Sequence, residues 1–247
     1  MTRVTPYLLS LPAVVLVGGV LAGPARYLAR DAGDFAALAD PDMVRMLGVT
    51  VGTAAAVAAV SVGGGFIIAL LIDSLTTTRR LALGLVLAPK LAGPLAVLLG
   101  LRYLFALADA LPVNRTFAGV VLAESTLVIP AVVLILAARL GRIDPLLTPA
   151  ARGLGATRLG AFRRVTWPLV RPAVGLAGLL AFVWGLGAVL GPQLFGHPTH
   201  ATLGVEIHRQ AFDYSRPARA AAAAVELLAV AALPLVAWAW LARRGDS

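Results

Sequence analysis

The chain has no cysteine and a single lysine, and only 13% of its 247 residues are charged. Without cysteine there is no disulfide framework and no thiolate metal site. The one lysine, Lys90, stands in Ala88-Pro89-Lys90-Leu91. A phosphate-cradling P-loop needs Gly-Lys followed by Ser or Thr, so no P-loop of that form exists in this sequence. ATP chemistry of that kind has to come from another subunit. The scarcity of charge stands against 60% hydrophobic residues and a mean hydropathy of +0.89. That balance excludes an ordinary soluble domain and places the chain among integral membrane proteins.

What is abundant is apolar sequence in blocks of about 20 residues, the length that crosses a bilayer as a helix. Six blocks are predicted, at Leu8–Leu28, Leu47–Ile72, Leu81–Leu107, Phe117–Leu140, Pro172–Phe195 and Ala218–Leu241. The fold class is therefore all-α integral membrane with six transmembrane helices. Polar breaks fall at Arg30–Asp42, Ser74–Arg80, Asp109–Arg115, Gly141–Pro168 and Gly196–Arg216. The first block is preceded by Arg3 and has small residues near Leu21-Ala22-Gly23, as a signal peptide would. It is longer than the usual apolar region of such a peptide, and it is read as a retained helix.

The net charge of +9 suggests a nucleic-acid partner until the arginines are placed. With the N-terminus inside, the inner side carries Arg3, Arg79, Arg80, Arg139, Arg142, Arg152, Arg158, Arg163, Arg164, Arg171, Arg243 and Arg244, against Asp73, Asp144 and Asp246. The outer side carries Arg26, Arg30, Arg45, Arg102, Arg115, Arg209, Arg216 and Arg219, nearly balanced by Asp31, Asp34, Asp40, Asp42, Asp109, Glu206 and Asp213. This is the asymmetry that orients membrane proteins, and it puts both termini in the cytoplasm. Nucleic-acid binding needs a basic face with stacking or groove-reading groups, and none is visible. Small residues crowd the helices, most densely at Gly63-Gly64-Gly65 and Ala218–Ala224. They read as surfaces for close helix packing in lipid.

The longest inner break, Gly141–Pro168, has internal order. Leu147, Ala150, Ala151 and Leu154 recur at helical spacing. Asp144-Pro145 is a reasonable helix start, and Gly153 and Gly155 permit an end and a change of direction. Leu159, Phe162 and Val165 form a second stripe, with Arg163 and Arg164 turned away from it and Arg158 beside it. The expectation is two short helices joined by a glycine elbow, with Pro168 and Pro172 opening the next membrane helix. Such a segment is too apolar on one face to lie loose in water, and it has to dock on the chain's own helices, on the lipid surface or on a partner protein.

The residues Asp144-Pro145-Leu146-Leu147-Thr148-Pro149-Ala150-Ala151-Arg152-Gly153-Leu154-Gly155-Ala156-Thr157, followed by Phe162-Arg163-Arg164-Val165-Thr166-Trp167-Pro168-Leu169-Val170-Arg171-Pro172, resemble the EAA loop of bacterial ABC importer permeases. That pattern is Glu-Ala-Ala, three residues and Gly, then an aromatic and an apolar residue before Leu-Pro and a second proline. Two departures stand out: Pro149 occupies the family's glutamate position, and Trp167 replaces leucine. Leu194-Phe195-Gly196 through Ile207, with Phe212-Asp213-Tyr214, resembles the polyamine, ferric-iron, phosphonate and thiamine branch. The resemblance implies a binding-protein-dependent inner-membrane permease in a bacterial cytoplasmic membrane. Its loop at 141–168 would seat on an ATPase through Ala150, Ala151, Arg152, Gly155, Ala156, Arg158, Leu159, Phe162, Arg163 and Pro168, with the helix around Gly155–Phe162 as the coupling helix. The implied partners are a dimer of ATP-binding subunits, which uses ATP and Mg, a second permease subunit and an extracytoplasmic binding protein. This chain would hold no cofactor, no metal and no catalytic residue. It would be one transmembrane domain over 1–247, with a first helix and outer loop at 1–46 and a permease core at 47–241.

Lys90, Glu124 and Glu226 fall inside the predicted helices. Ionisable groups at mid-bilayer cost roughly 2.5–3.5 kcal/mol on insertion scales and usually face a cavity or a partner. They line a solute pathway, make a structural pair, Lys90 with Glu124 or Glu226, or, for a glutamate, stay neutral and bonded to a neighbouring helix. The three histidines, His197, His200 and His208, sit with Glu206 in one outer break but lack the i, i+4 spacing of a helical metal site. They read as a solvated lip. Two other classes remain open at this point. A stand-alone secondary transporter would couple ions through Glu124 and Glu226, and it leaves the 141–168 loop unexplained. A membrane enzyme would have to use the histidine cluster.

Overall fold

The computed structural model describes residues 22, 26, 41–75, 77–108 and 113–245. Apart from Ala22 and Arg26, the predicted span Leu8–Leu28 lies outside the described residues, as does most of the break Arg30–Asp42. Those described form helices and turns, with no strand among them. In chain order the helices are α1 Pro41–Ser74, α2 Arg79–Ala92, α3 Pro94–Ala108, α4 Phe117–Leu140, α5 Leu147–Gly153, α6 Arg158–Leu186, α7 Leu190–Phe195, α8 Leu203–His208 and α9 Pro217–Gly245. Four are long and apolar enough to cross a membrane: α1, α4, α6 and α9.

The block predicted at Leu81–Leu107 is two helices rather than one. α2 and α3 meet at an angle of 103°. The cause is Gly93-Pro94. Gly93 takes φ 79°, ψ 151°, a region essentially closed to residues with a Cβ, and Pro94 brings no N–H to continue the ladder. The pair still runs from one end of α4 to the other. At the start of α2, Arg79 donates to Ala137 O near the end of α4 (3.2 Å). In α3, Leu98 is buried with Val120, Ala123 and Leu127 from the first half of α4. Counted together as a broken span, the pair brings the apolar spans among the described residues from four to five.

Residues Val49–Ala201 form one compact unit, built around α4. The most apolar stretch of α4 is 67% buried, against 28% for α1 and for α6. Since α1 is as apolar as α4, protein contact rather than hydropathy makes α4 the central helix. Its Val128, Val132 and Leu136 pack with Val57 and Ala69 of α1 and Val170, Ala177 and Ala181 of α6. Lipid offers no hydrophobic gain for helix association, so close approach of small residues has to supply it. Gly65 does this against α4, where a Cβ would come 2.6 Å from Val132 Cγ1. Gly185 does it between α6 and α1, where a Cβ would lie 2.7 Å from the Cα of Ala54. Outward-facing Ile67, Leu71, Leu81 and Leu85 are exposed, as a lipid-facing surface requires.

Residues from Thr202 onward belong to a second unit. In it Ala221, Ala222 and Val225 of α9 pack together and α9 lies against α8, so part of the predicted alanine surface is a packing face. The break at Gly196–Arg216, read from sequence as a solvated lip, is largely folded. Ala201–Val205 are buried, and Thr202 caps α8 by accepting from Val205 N. Its Leu203 and Val205 are apolar enough to fold inward once Thr202 starts a helix.

Candidate functional site

The arginine-rich loop is assembled from local signals. The Asp144 side chain accepts from Leu146 N (2.9 Å), a turn that precedes α5 rather than its first cap. α5 ends in a two-bond lock, with Ala156 N donating to Ala151 O (3.1 Å) and Gly155 N to Arg152 O (3.0 Å). This Schellman arrangement needs a left-handed residue at its second position, and Gly155 supplies it at φ 92°. Thr157 then caps the next helix by accepting from Gly160 N (3.0 Å).

The second short helix expected after the elbow is not a separate element. From Arg158 the chain continues as one 29-residue helix to Leu186. Pro168 and Pro172 do not open this helix; they sit inside it. A proline in a helix interior removes a hydrogen bond and clashes with the carbonyl four residues back, at about 3 kcal/mol or more. Here the turn at Phe162–Thr166 widens to π geometry and Trp167 N donates to Phe162 O. The wider turn makes room for the Pro168 ring. At the other end α6 stops at Leu186 rather than Phe195, because Gly187 and Ala188 make turn bonds to Trp184 O and Gly185 O.

The loop presents side chains outward. Leu154 is 90% and Leu159 65% exposed. Ala150, Arg152, Gly155, Arg158, Arg163 and Pro168 are exposed beside them, and Ala151 and Ala156 are half-buried. Phe162 is also half-buried and turns toward α1, where its ring meets Phe66 edge-on at 6.2 Å, as does Trp167. Two basic residues assigned to this end are structural ties. Arg79 pairs with Asp73 (3.6 Å), and Arg139 Nε donates to Leu169 O (2.8 Å).

The second candidate region is a pair of clefts inside the spans. The first, of about 160 Å³, is lined by Pro89, Lys90, Pro94, Thr126, Leu127 and Trp184, among others. The second, of about 340 Å³, is walled by Glu124, Val183, Gly187 and Leu190, and shares Pro94, Leu127 and Trp184 with the first. Lys90 Nζ lies 4.3 Å over the centre of the Trp184 ring, a cation–π contact. Glu124 is 2% exposed. Its Oε1 accepts from Gly191 N (2.9 Å). A Cβ at Gly191 would come 2.7 Å from Glu124 Cγ, so only glycine lets α7 close on this side chain. The structural pair considered for Lys90 does not form: the two ion pairs among the described residues are Arg45–Asp42 and Arg79–Asp73.

Glu226 lies on α9 in the second unit, with Oε2 buried and without a hydrogen-bond partner among the described residues. His197 and His200 meet edge-on across a turn at 6.2 Å, and the His208 ring lies 5.0 Å from that of Phe212, tilted by 45°. No group of three His, Cys, Asp or Glu suited to a metal occurs among the described residues. Three features had no foresight from pattern alone: Trp184 as the partner of Lys90, Gly191 as the donor to Glu124, and the structural ties of Arg79 and Arg139. The Gly93-Pro94 dipeptide was a readable turn signal.

No family model matches the chain. In sequence it is 30% identical, over 162 residues, to the putrescine transport system permease protein of Escherichia coli, a match covering 64% of this chain and 58% of that protein. It is 37% identical over 110 residues to a probable molybdenum ABC transporter permease protein of Haloferax volcanii, covering 42% of this chain and 39% of that one. It is 32% identical over 161 residues to the sulfoquinovosyl glycerol transport system permease protein of Agrobacterium fabrum, covering 64% and 55%. The chain thus spans less than two thirds of the length of these relatives, all of which are transport permeases. In fold it matches a chain of a bacterial alginate ABC transporter in complex with an alginate pentasaccharide-bound periplasmic protein. The TM-score is 0.75 at 17% identity, over 97% of this chain and 94% of that chain. A second structure, of a bacterial ABC transporter involved in import of the acidic polysaccharide alginate, gives 0.73 at 17%, over 97% and 95%.

Proposed function

We propose that this chain is the membrane-embedded permease subunit of an ATP-driven, binding-protein-dependent importer. It lines the solute pathway and takes its power stroke from a separate ATPase. The observation that carries the reading is the outward-facing elbow at Gly155. There Leu154 and Leu159 stand exposed beside Arg152 and Arg158, in a chain whose sequence relatives are ABC transporter permeases. Burying two such leucines in a partner's groove is worth about 1.5–3 kcal/mol each, and the arginines add charge contacts at the rim.

The proposal extends to six spans with both termini cytoplasmic, in a bacterial inner membrane. Its partners are a dimer of ATP-binding subunits, which holds ATP and Mg, a second permease and an external binding protein. Residues 1–247 form one transmembrane domain, in which 47–241 are the permease core. Ala150, Ala151, Arg152, Gly155, Ala156, Arg158, Leu159, Arg163 and Pro168 make up the docking segment. Phe162 acts from behind, by holding the loop on Phe66. Closure of the two ATPases draws the loops together and tilts the attached helices, and the pathway passes Lys90 and Glu124.

The test is copurification. The tagged chain is extracted in mild detergent, as wild type and as Leu159→Glu, a change at an exposed position that leaves the packed side of α6 intact. The reading expects a P-loop ATPase with the wild type and its loss from the variant at unchanged size-exclusion profile. A folded wild type that brings down no ATPase would sink it and leave the stand-alone transporter in first place.

A further inference from the structure

We propose that the solute carried past the Lys90 cleft bears an anionic group, such as a carboxylate, sulfonate or oxyanion, held by Lys90 Nζ at the face of Trp184. The inference rests on the importer reading and adds the charge of its solute.

The first observation is depth. Lys90 lies eleven residues beyond Arg79, about 16 Å along α2. Arg79 is level with the end of α4, where it meets Ala137. Lys90 shares its cleft with Thr126, Leu127 and Pro130, at the middle of the 24-residue α4, a helix long enough to cross a hydrocarbon core of about 30 Å. A cation held there without compensation is costly.

The second observation is that its compensation is incomplete. No carboxylate lies within ion-pair distance of Lys90 among the described residues. The cleft it lines has only proline, leucine, threonine and tryptophan in its other walls. Beyond the contact to Trp184, Lys90 is exposed and lines the cleft.

The third observation concerns the nearest acid. Glu124 lines the neighbouring cleft and not this one. It is buried, and its Oε1 is committed to the Gly191 amide. Trp184 forms a wall of both clefts, with the lysine on one side of the pair and the carboxyl group on the other. The two clefts share Pro94, Leu127 and Trp184 as walls, but of the two charged side chains only Lys90 is exposed, while Glu124 is buried. The accessible charge is therefore positive. A cationic solute would meet repulsion there, and an anionic group would find an opposite charge.

The test uses the indole as its own reporter. Trp167, Trp238 and Trp240 are replaced by Phe, leaving Trp184 as the only tryptophan in the full chain, which is placed in nanodiscs at constant ionic strength. Fluorescence is quenched with iodide, an anion, and caesium, a cation. Iodide is expected to quench about threefold more efficiently than caesium, the local field of one nearby charge being sufficient for a ratio of that order. Lys90→Arg keeps the preference, Lys90→Gln abolishes it and Lys90→Glu reverses it. Sulfate and methanesulfonate protect against iodide in the wild type, and putrescine does not. Equal quenching by the two ions in the Lys90 protein, or protection by putrescine alone, overturns the proposal whether or not the Lys90 variants fold; a monodisperse size-exclusion peak checks that the protein with Trp184 alone is folded. The measurement involves no ATPase, so a failure here is separate from a failure of the importer reading, which copurification decides.

Discussion

The close approach of α6 to α1 makes a prediction whose main uncertainty cancels. A Cβ on Gly185 would sit 2.7 Å from Ala54 Cα, 3.2 Å from its Cβ and 3.4 Å from its carbonyl oxygen. Carbon atoms pack at about 3.5–4.0 Å. Two of the three neighbours are backbone atoms, so no rotamer change relieves the contact and the helices have to separate by roughly 1 Å. A gap of 0.5–1 Å forfeits about a quarter to a half of each dispersion contact along the seam, and overpacking of this kind costs about 1–3 kcal/mol. Gly→Ala also brings a helix-propensity gain of up to about 1 kcal/mol. That gain is isolated by Gly63→Ala, since a Cβ at Gly63 meets nothing within 4 Å. The two variants share the propensity term, and Gly185, in the last turn of α6, draws less of it. Gly185→Ala should therefore fall below Gly63→Ala by about 1–3 kcal/mol. At about 2–4 °C per kcal/mol for a protein of this size, the gap in melting temperature is about 2–12 °C. Thermal unfolding in detergent, followed by loss of the monodisperse peak at one heating rate, reads it directly. A Gly185→Ala protein that melts with or above Gly63→Ala would refute the packing account.

Two further outcomes follow from the same atoms. Gly155→Ala forces a Cβ into φ 92°, a strain of about 1–3 kcal/mol, and should weaken ATPase copurification while the Gly63→Ala protein keeps it. Glu124→Gln retains an oxygen for the Gly191 amide and should stay within about 0.5 kcal/mol of wild type. Glu124→Leu strands that buried N–H and should cost about 1–3 kcal/mol; equal melting temperatures for the two would remove the hydrogen bond as the reason for a carboxyl group at this position.

The sequence is most legible where local chemistry decides. The elbow is one such place: Ala150, Ala151 and Gly155 specify a helix, a left-handed stop and a turn within seven residues, and the chain follows them. Spans are legible too, because about 20 apolar residues have few alternatives in a bilayer. Their interruptions are less so. Averaging hydropathy over Leu81–Leu107 passes over Gly93-Pro94, although two residues there turn the axis by 103°. Pro168 and Pro172 were read as a helix start, because the rule that prolines break helices does not foresee a widened turn at Phe162–Thr166 that accommodates one. The cleft was half legible. Lys90 and Glu124 announce themselves as charges among apolar residues, but their partners, Trp184 and Gly191, stand far along the chain. Only packing decides that the two charges meet an indole and an amide rather than each other.

The unbroken run of helix from Arg158 to Leu186 has a mechanical meaning. A loop between the docking segment and the membrane would absorb displacement; a continuous helix transmits it, bending only at the widened turn of Phe162–Thr166. Trp184 stands 26 residues from Arg158, about 39 Å along the axis. Tilting such a rod by about 5° carries its far end through about 3 Å, comparable to the 4.3 Å that separates the lysine ammonium from the indole. In the proposed importer, force applied to the loop would thus reach the ring that lines both clefts.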